Sequence, residues 1–274
     1  MKNLRLSGFL LWAFLSLSLR IASANECAQL KPEFIKSIHS NTIVVGESHG
    51  TQEMPKFAGE LACHFVKSGE TVLLGLEMPS SMQTAINAYH ASEGSIEQKR
   101  ELLRHPFWTY TADYGMASQA IFELLELSRK LKMQGFDIKP FAYDESLKDR
   151  AEKLSPNEKS DFVRDFQMAH NIALRSTQYE NARLIILSGN NHVRKNQSSS
   201  MVFYLSKMQS IFSIGFSDLG GTAWQCAGKT RELVSCGSQH VKASVGDAEE
   251  YDVVVQLGLL RASPPAKTLH SRAE

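Results

Sequence analysis

Four apolar, strand-like runs each lead to a side chain capable of acid–base chemistry, and this repetition constrains the fold more than anything else in the chain. Ile43-Val44-Val45 runs into Gly46-Glu47-Ser48-His49-Gly50. Thr71 to Leu76 ends at Glu77, and Ile138 to Tyr143 ends at Asp144. Leu184 to Leu187 leads through Ser188-Gly189-Asn190-Asn191 to His192. Apolar residues at consecutive positions suit parallel strands covered on both faces. Helical patterns separate them, with Phe57, Leu61 and Phe65 recurring before Gly69, and Ala120, Ile121, Leu124, Leu125 and Leu131 before Gly135. The order predicts an α/β domain. Its central sheet is mainly parallel, with helices on both faces and a site at the C-terminal strand ends.

The start of the chain reads as a secretory leader. Lys2 and Arg5 precede an apolar core from Gly8 to Leu19, too short to span a bilayer, and Ala22-Ser23-Ala24 fits cleavage after Ala24. Residues 1–24 are therefore expected to be a signal peptide, 25–262 one domain and 263–274 a polar, Pro-containing loose tail. The chain is expected to be exported, periplasmic or secreted, with no membrane anchor after cleavage. Loss of Lys2, Arg5 and Arg20 takes the basic count from 30 to 27 against 29 acidic residues, a net charge of −2. No basic block stands out, so nucleic acid is not an expected partner. The four cysteines in an exported chain suggest disulfides. Three pairings are possible. Cys226–Cys236, closing a short hairpin-like loop, and Cys27–Cys63 are favoured.

Between the second and third strand-like runs lies an aromatic-rich insertion with Trp108, Tyr110 and Tyr114. It suits either the wall of a substrate pocket or a helical pair packed on the sheet. Ser155-Pro156-Asn157-Glu158 is a capping box opening a helix with Phe162, Phe166, Ala169 and Ala173 on one face and Arg164, Asp165 and Asn171 elsewhere. After His192, a helix is expected from Met201 to Met208 and strands at Ile211–Phe216 and Asp252–Leu257.

Glu47 and His49 share a face if the strand continues, and a carboxylate beside an imidazole sets its tautomer and raises its basicity. The same pair suits a metal. Glu77 at the end of a buried strand needs a partner or a function. Asp144 either joins the site or caps the next helix. Gly189 and the two asparagines allow a sharp left-handed turn that would aim His192 back over the sheet edge. Gly46 to Gly50 also matches the Gly-x-Ser-x-Gly elbow, with Asp144 and His192 following in hydrolase order. Ser48 lies on the first strand of the domain, however, where no upstream loop completes an oxyanion hole, so an activated water fits better.

Gly46-Glu47-Ser48-His49-Gly50, Glu77-Met78-Pro79, Arg164-Asp165-x-x-Met168-Ala169-x-Asn171 and Gly189-Asn190-Asn191-His192 together resemble the haem-binding-uptake/Tiki superfamily, which includes erythromycin-esterase-like and ChaN-like proteins. The resemblance spans Asn41 to Leu257. It implies a hydrolase of esters, lactones or amides, with His49 as base, Glu47 and Glu77 as its acidic partners and His192 as second imidazole. Arg164 and Asp165 would lie at the site, with Asp144, Trp108 and Tyr110 contacting a small-molecule or peptide substrate. Other branches imply a haem-binding protein, or a metal-dependent protease whose divalent metal would rest on Glu47, His49, Glu77 and His192. A single residue separates Glu47 from His49, which is closer to the ChaN-like spacing than to that of the esterases.

Overall fold

The computed structural model describes residues 27–145, 160–227 and 235–267. Their centre is a six-stranded sheet of β1 (Thr42–Glu47), β2 (Val72–Pro79), β3 (Ile138–Asp144), β4 (Arg183–Gly189), β5 (Phe212–Ser217) and β8 (Val253–Gln256). Its order is β3-β2-β4-β1-β5-β8, and every pairing in it is parallel. A separate antiparallel hairpin joins β6 (Gly221–Ala227) to β7 (Ser235–Val241).

Alternation along the strands splits the core in two. Ile43, Val45, Leu74, Leu76, Ile185 and Leu187 face one layer, with helices Glu53–Lys67 and Gln119–Met133. Val44, Leu73, Leu184 and Ile186 face the other, with helices Ser160–Ser176 and Met201–Leu205. Covering on both faces is why β1 is buried at all six positions and carries no polar alternation. β1 and β4 are neighbours, but the chain leaves β1 into the first layer and β4 into the second. That divergence opens a crevice at their C-terminal ends, where ligands of open parallel sheets bind.

Several local expectations are corrected. Gly189 has φ −53°, not a left-handed angle, and His192 sits on a one-turn helix, Asn190–Val193. On helix Ser160–Ser176 the buried line is Asp165, Met168, Ala169 and Ile172, while Phe166 is exposed and stacks on His170. The reason is that this face must reach Tyr143 and Asp144 on β3. Residues expected to begin a loose tail are docked: Ser263 N–H bonds Gly50 O at 2.7 Å, and Ala266 N–H bonds Ala117 O at 3.0 Å. Ser263 Oγ and Pro264 O also accept the N–H groups of Ala120 and Gln119, which the first turn of helix Gln119–Met133 leaves without internal partners. Both favoured disulfides form, Cys27–Cys63 and, across β6 and β7, Cys226–Cys236. The leader, the Ser155–Glu158 capping box and the last seven residues lie outside the described residues. No described helix is long and apolar enough to cross a membrane.

Candidate functional site

The crevice at the ends of β1, β2, β3 and β4 gathers Glu47, Glu77, Asp144 and His192, to which His49 is added by the loop after β1 and Arg164 and Asp165 by the helix over β3. Glu77 is the hub. Its Oε2 accepts the Ser188 hydroxyl at 2.9 Å and the Gly189 N–H at 2.7 Å. Its Oε1 accepts the Arg164 guanidinium at 2.5 Å. Arg164 also forks onto Asp144, from Nε at 3.1 Å and from its terminal nitrogen at 2.8 Å. Burial alone would raise the Glu77 pKa, but the charges around it, among them His49 and Arg164, together with the Gly189 N–H, outweigh it and hold the carboxyl ionised, well below the usual range. Arg164 is likewise locked in its charged form: burial opposes the charge, and Glu77 and Asp144 overcome it.

The two imidazoles flank this hub, each with its own carboxylate. His192 Nδ1 lies 2.5 Å from Asp165 Oδ1 and its Nε2 lies 2.8 Å from Arg164. Since a guanidinium can only donate, Nε2 is the acceptor and Nδ1 carries the proton to Asp165. His49 Nδ1 lies 3.2 Å from Glu47 Oε2, off the line of a good hydrogen bond, and its Nε2 lies 3.9 Å from Glu77. Burial, the largest influence, favours neutral His49, yet Glu47 and Glu77 together push its pKa up to about 9. The ring keeps 24% of its surface exposed, while the Glu47 side chain is 2% exposed.

Small residues make this convergence possible. A side-chain carbon on Gly189 would stand 2.8 Å from His49 Nε2, and one on Gly46 would stand 2.2 Å from Asn190 Oδ1. Gly50, with φ 79°, turns the chain sharply after His49. Its N–H bonds Gly115 O at 3.1 Å, and its carbonyl accepts Trp224 N–H at 2.8 Å and Ser263 N–H at 2.7 Å.

Beneath Glu47, His49 and Glu77 lies a cavity of about 10 Å³, walled by Phe107, Met116, Ile121 and neighbouring apolar side chains. That is room for one water. The aromatic insertion contributes through Phe107. Trp108 is fully buried in the core against Phe107 and Phe122, and Tyr110 is 71% exposed. Ser48 approaches no imidazole in the hydrogen-bond network; the amide nitrogen of Asn190 lies 3.5 Å from its hydroxyl. Sequence reading did not single out Ser188 as a partner of Glu77. The signal was there, in a hydroxyl residue closing an otherwise apolar strand.

The cluster does not fit a divalent cation. Arg164 takes the acceptor positions of Glu77 Oε1, Asp144 and His192 Nε2, and no group of described residues is arranged to hold a metal. Nor does it fit haem. Both nitrogens of each imidazole are turned to other groups of the cluster, and the cavity beside them is water-sized.

The doubly covered parallel sheet, with a polar cluster at the divergence of β1 and β4, defines an α/β fold. No protein-family model and no curated protein matches the sequence. Among solved structures, a succinoglycan biosynthesis protein is similar at 10% identity, with TM-score 0.64 over 85% of this chain and 91% of that one. A mutant erythromycin esterase in its open conformation is similar at 11% identity, with TM-score 0.56 over 78% and 80%. The haem-binding ChaN of Campylobacter jejuni is similar at 13% identity, with TM-score 0.53 over 83% and 92%. At such identities these likenesses establish the fold.

Proposed function

We propose that this protein is an exported hydrolase of a carboxylic ester, lactone or amide, acting through a water held at the Glu47–His49 pair. The observation that carries the reading is the pairing of each imidazole with a carboxylate on either side of one buried, ionised glutamate, next to a water-sized cavity. Such an arrangement supplies proton transfer and charge stabilisation without a metal. His49 Nε2–H, 3.9 Å from Glu77 and so not fully engaged, is a donor for a substrate carbonyl oxygen. Asp165 and Arg164 fix His192, and Ser188, Gly189 and Arg164 fix Glu77, so the site needs little reorganisation. The resemblance to an esterase of the same fold supports the reaction class, and two disulfides support export to the periplasm or beyond. Partners are a small-molecule or peptide substrate.

The test is a panel of aryl esters, lactones and amides given to wild type and to His49→Ala and Glu77→Gln, with circular dichroism as the folding control. Turnover by wild type and its loss in both folded variants is the expected result. Full activity in both variants sinks the reading. A Soret shift on titration with haemin, without turnover by wild type, favours a ligand-binding role instead.

A further inference from the structure

The two imidazoles are the obvious proton acceptors, yet neither offers a free lone pair. His49 turns one nitrogen to Glu47 and the other to Glu77, at 3.2 and 3.9 Å. Nδ1 lies off the line of a good hydrogen bond, but a carboxylate beside each nitrogen repels a lone pair there and favours the ring with hydrogen on both. His192 spends Nδ1–H on Asp165, and its Nε2 accepts from Arg164. Glu77 accepts from three donors and Asp144 from Arg164 and the Glu145 N–H. Among the described residues, one carboxylate oxygen is buried with no hydrogen-bond partner, and it is Glu47 Oε1. A buried acceptor left unpaired costs about 1–3 kcal/mol or more, so its persistence calls for an explanation. Glu47 also lines the water-sized cavity, whose other walls include Phe107, Met116 and Ile121.

We infer that Glu47, through Oε1, and neither histidine, takes the proton from the attacking water. The inference rests on the hydrolase reading and assigns its base. As the water oxygen bonds to the carbonyl carbon, one water proton passes to Glu47 Oε1. As the C–O or C–N bond breaks, Glu47 returns that proton to the departing oxygen or nitrogen. Acid and alcohol or amine are released with Glu47 ionised again. His49 keeps both protons throughout; it orients Glu47 and donates to the carbonyl oxygen.

The test compares wild type, Glu47→Gln and Glu47→Ala on an ester that wild type hydrolyses, with sodium formate added as a substitute carboxylate. Expected are a loss of about 10²–10⁴-fold in Glu47→Gln, the usual worth of a general base, and recovery of at least about tenfold by formate in Glu47→Ala but not in His49→Ala. Restoration by formate separates a base from a merely structural carboxylate. Turnover by wild type with Glu47→Gln within threefold of it, or with no formate recovery in folded Glu47→Ala, overturns the assignment and leaves the hydrolase reading intact. A wild type that hydrolyses no member of the panel overturns both.

Discussion

Raising the pH past neutrality should weaken this fold, because His49 then gives up the proton that its carboxylate neighbours retain. The imidazole pKa stands at about 9 in the folded chain against 6.5 for an unperturbed histidine. A group whose pKa rises on folding adds stability that is complete below the unfolded value and is lost as pH climbs through the folded one. At about 1.36 kcal/mol per pH unit the interval amounts to about 3 kcal/mol, and screening of the partly exposed ring brings it to about 2–3 kcal/mol. The perturbation is a pH series from 6.5 to 9 on wild type and on His49→Gln, read by urea unfolding. Titrations elsewhere cancel in the difference between the two proteins. The stability gap should be widest at the acid end and close by about 2–3 kcal/mol at the alkaline end, or about 4–12 °C in Tm for a chain of this size. A gap that holds constant across the series refutes the placement of His49 between two ionised carboxylates.

Removing the hub charge should be costlier. Glu77→Gln leaves Asp144 as the one carboxylate on Arg164 and Glu47 as the one carboxylate on His49, and breaking a buried pair from one side costs about 3–5 kcal/mol; an unchanged urea midpoint would show that Glu77 is not the hub. Gly115→Ala tests the seating of the His49 loop. Gly115 has φ 75°, and an added carbon would lie 2.5 Å from Gly50 N, so strain of about 1–3 kcal/mol should come with lost ester turnover. Gly135→Ala, with φ 91° and nothing within 4 Å of the added carbon, should bear only a conformational cost and keep its turnover. Equal turnover in the two glycine variants would show that the Gly115 contact does not position His49.

The strands and their terminal residues were legible because burial on both faces writes an unbroken apolar run, and a polar residue closing such a run stands out. Glu47, Glu77, Asp144 and His192 were found in this way. Arg164 was visible as a motif residue, but its fork between Glu77 and Asp144 was not, because it joins positions far apart in sequence through a helix that buries Asp165 and Met168 and leaves Phe166 exposed. The places of the aromatic residues in the insertion were hidden for a similar reason. Trp108 and Tyr110 carry the larger aromatic signal, yet packing against Phe122 draws Trp108 into the core and leaves Phe107 facing the cavity.

The docking of residues 263–267 could not be read from a polar, Pro-containing segment, since what holds it are backbone groups of Gly50, Ala117 and helix Gln119–Met133, and backbone partners leave no trace in side-chain composition. By itself, then, the sequence determined the parallel sheet, the end of it where the polar cluster lies and most of the residues gathered there. Those properties depend on hydrophobic period and on the cost of burying charge, which are local to each strand. Only the tertiary structure decided which lone pairs are taken. A proton acceptor is defined by what its neighbours leave free, and Glu47 Oε1 is free while donors from distant segments of chain engage the carboxylates of Glu77, Asp144 and Asp165.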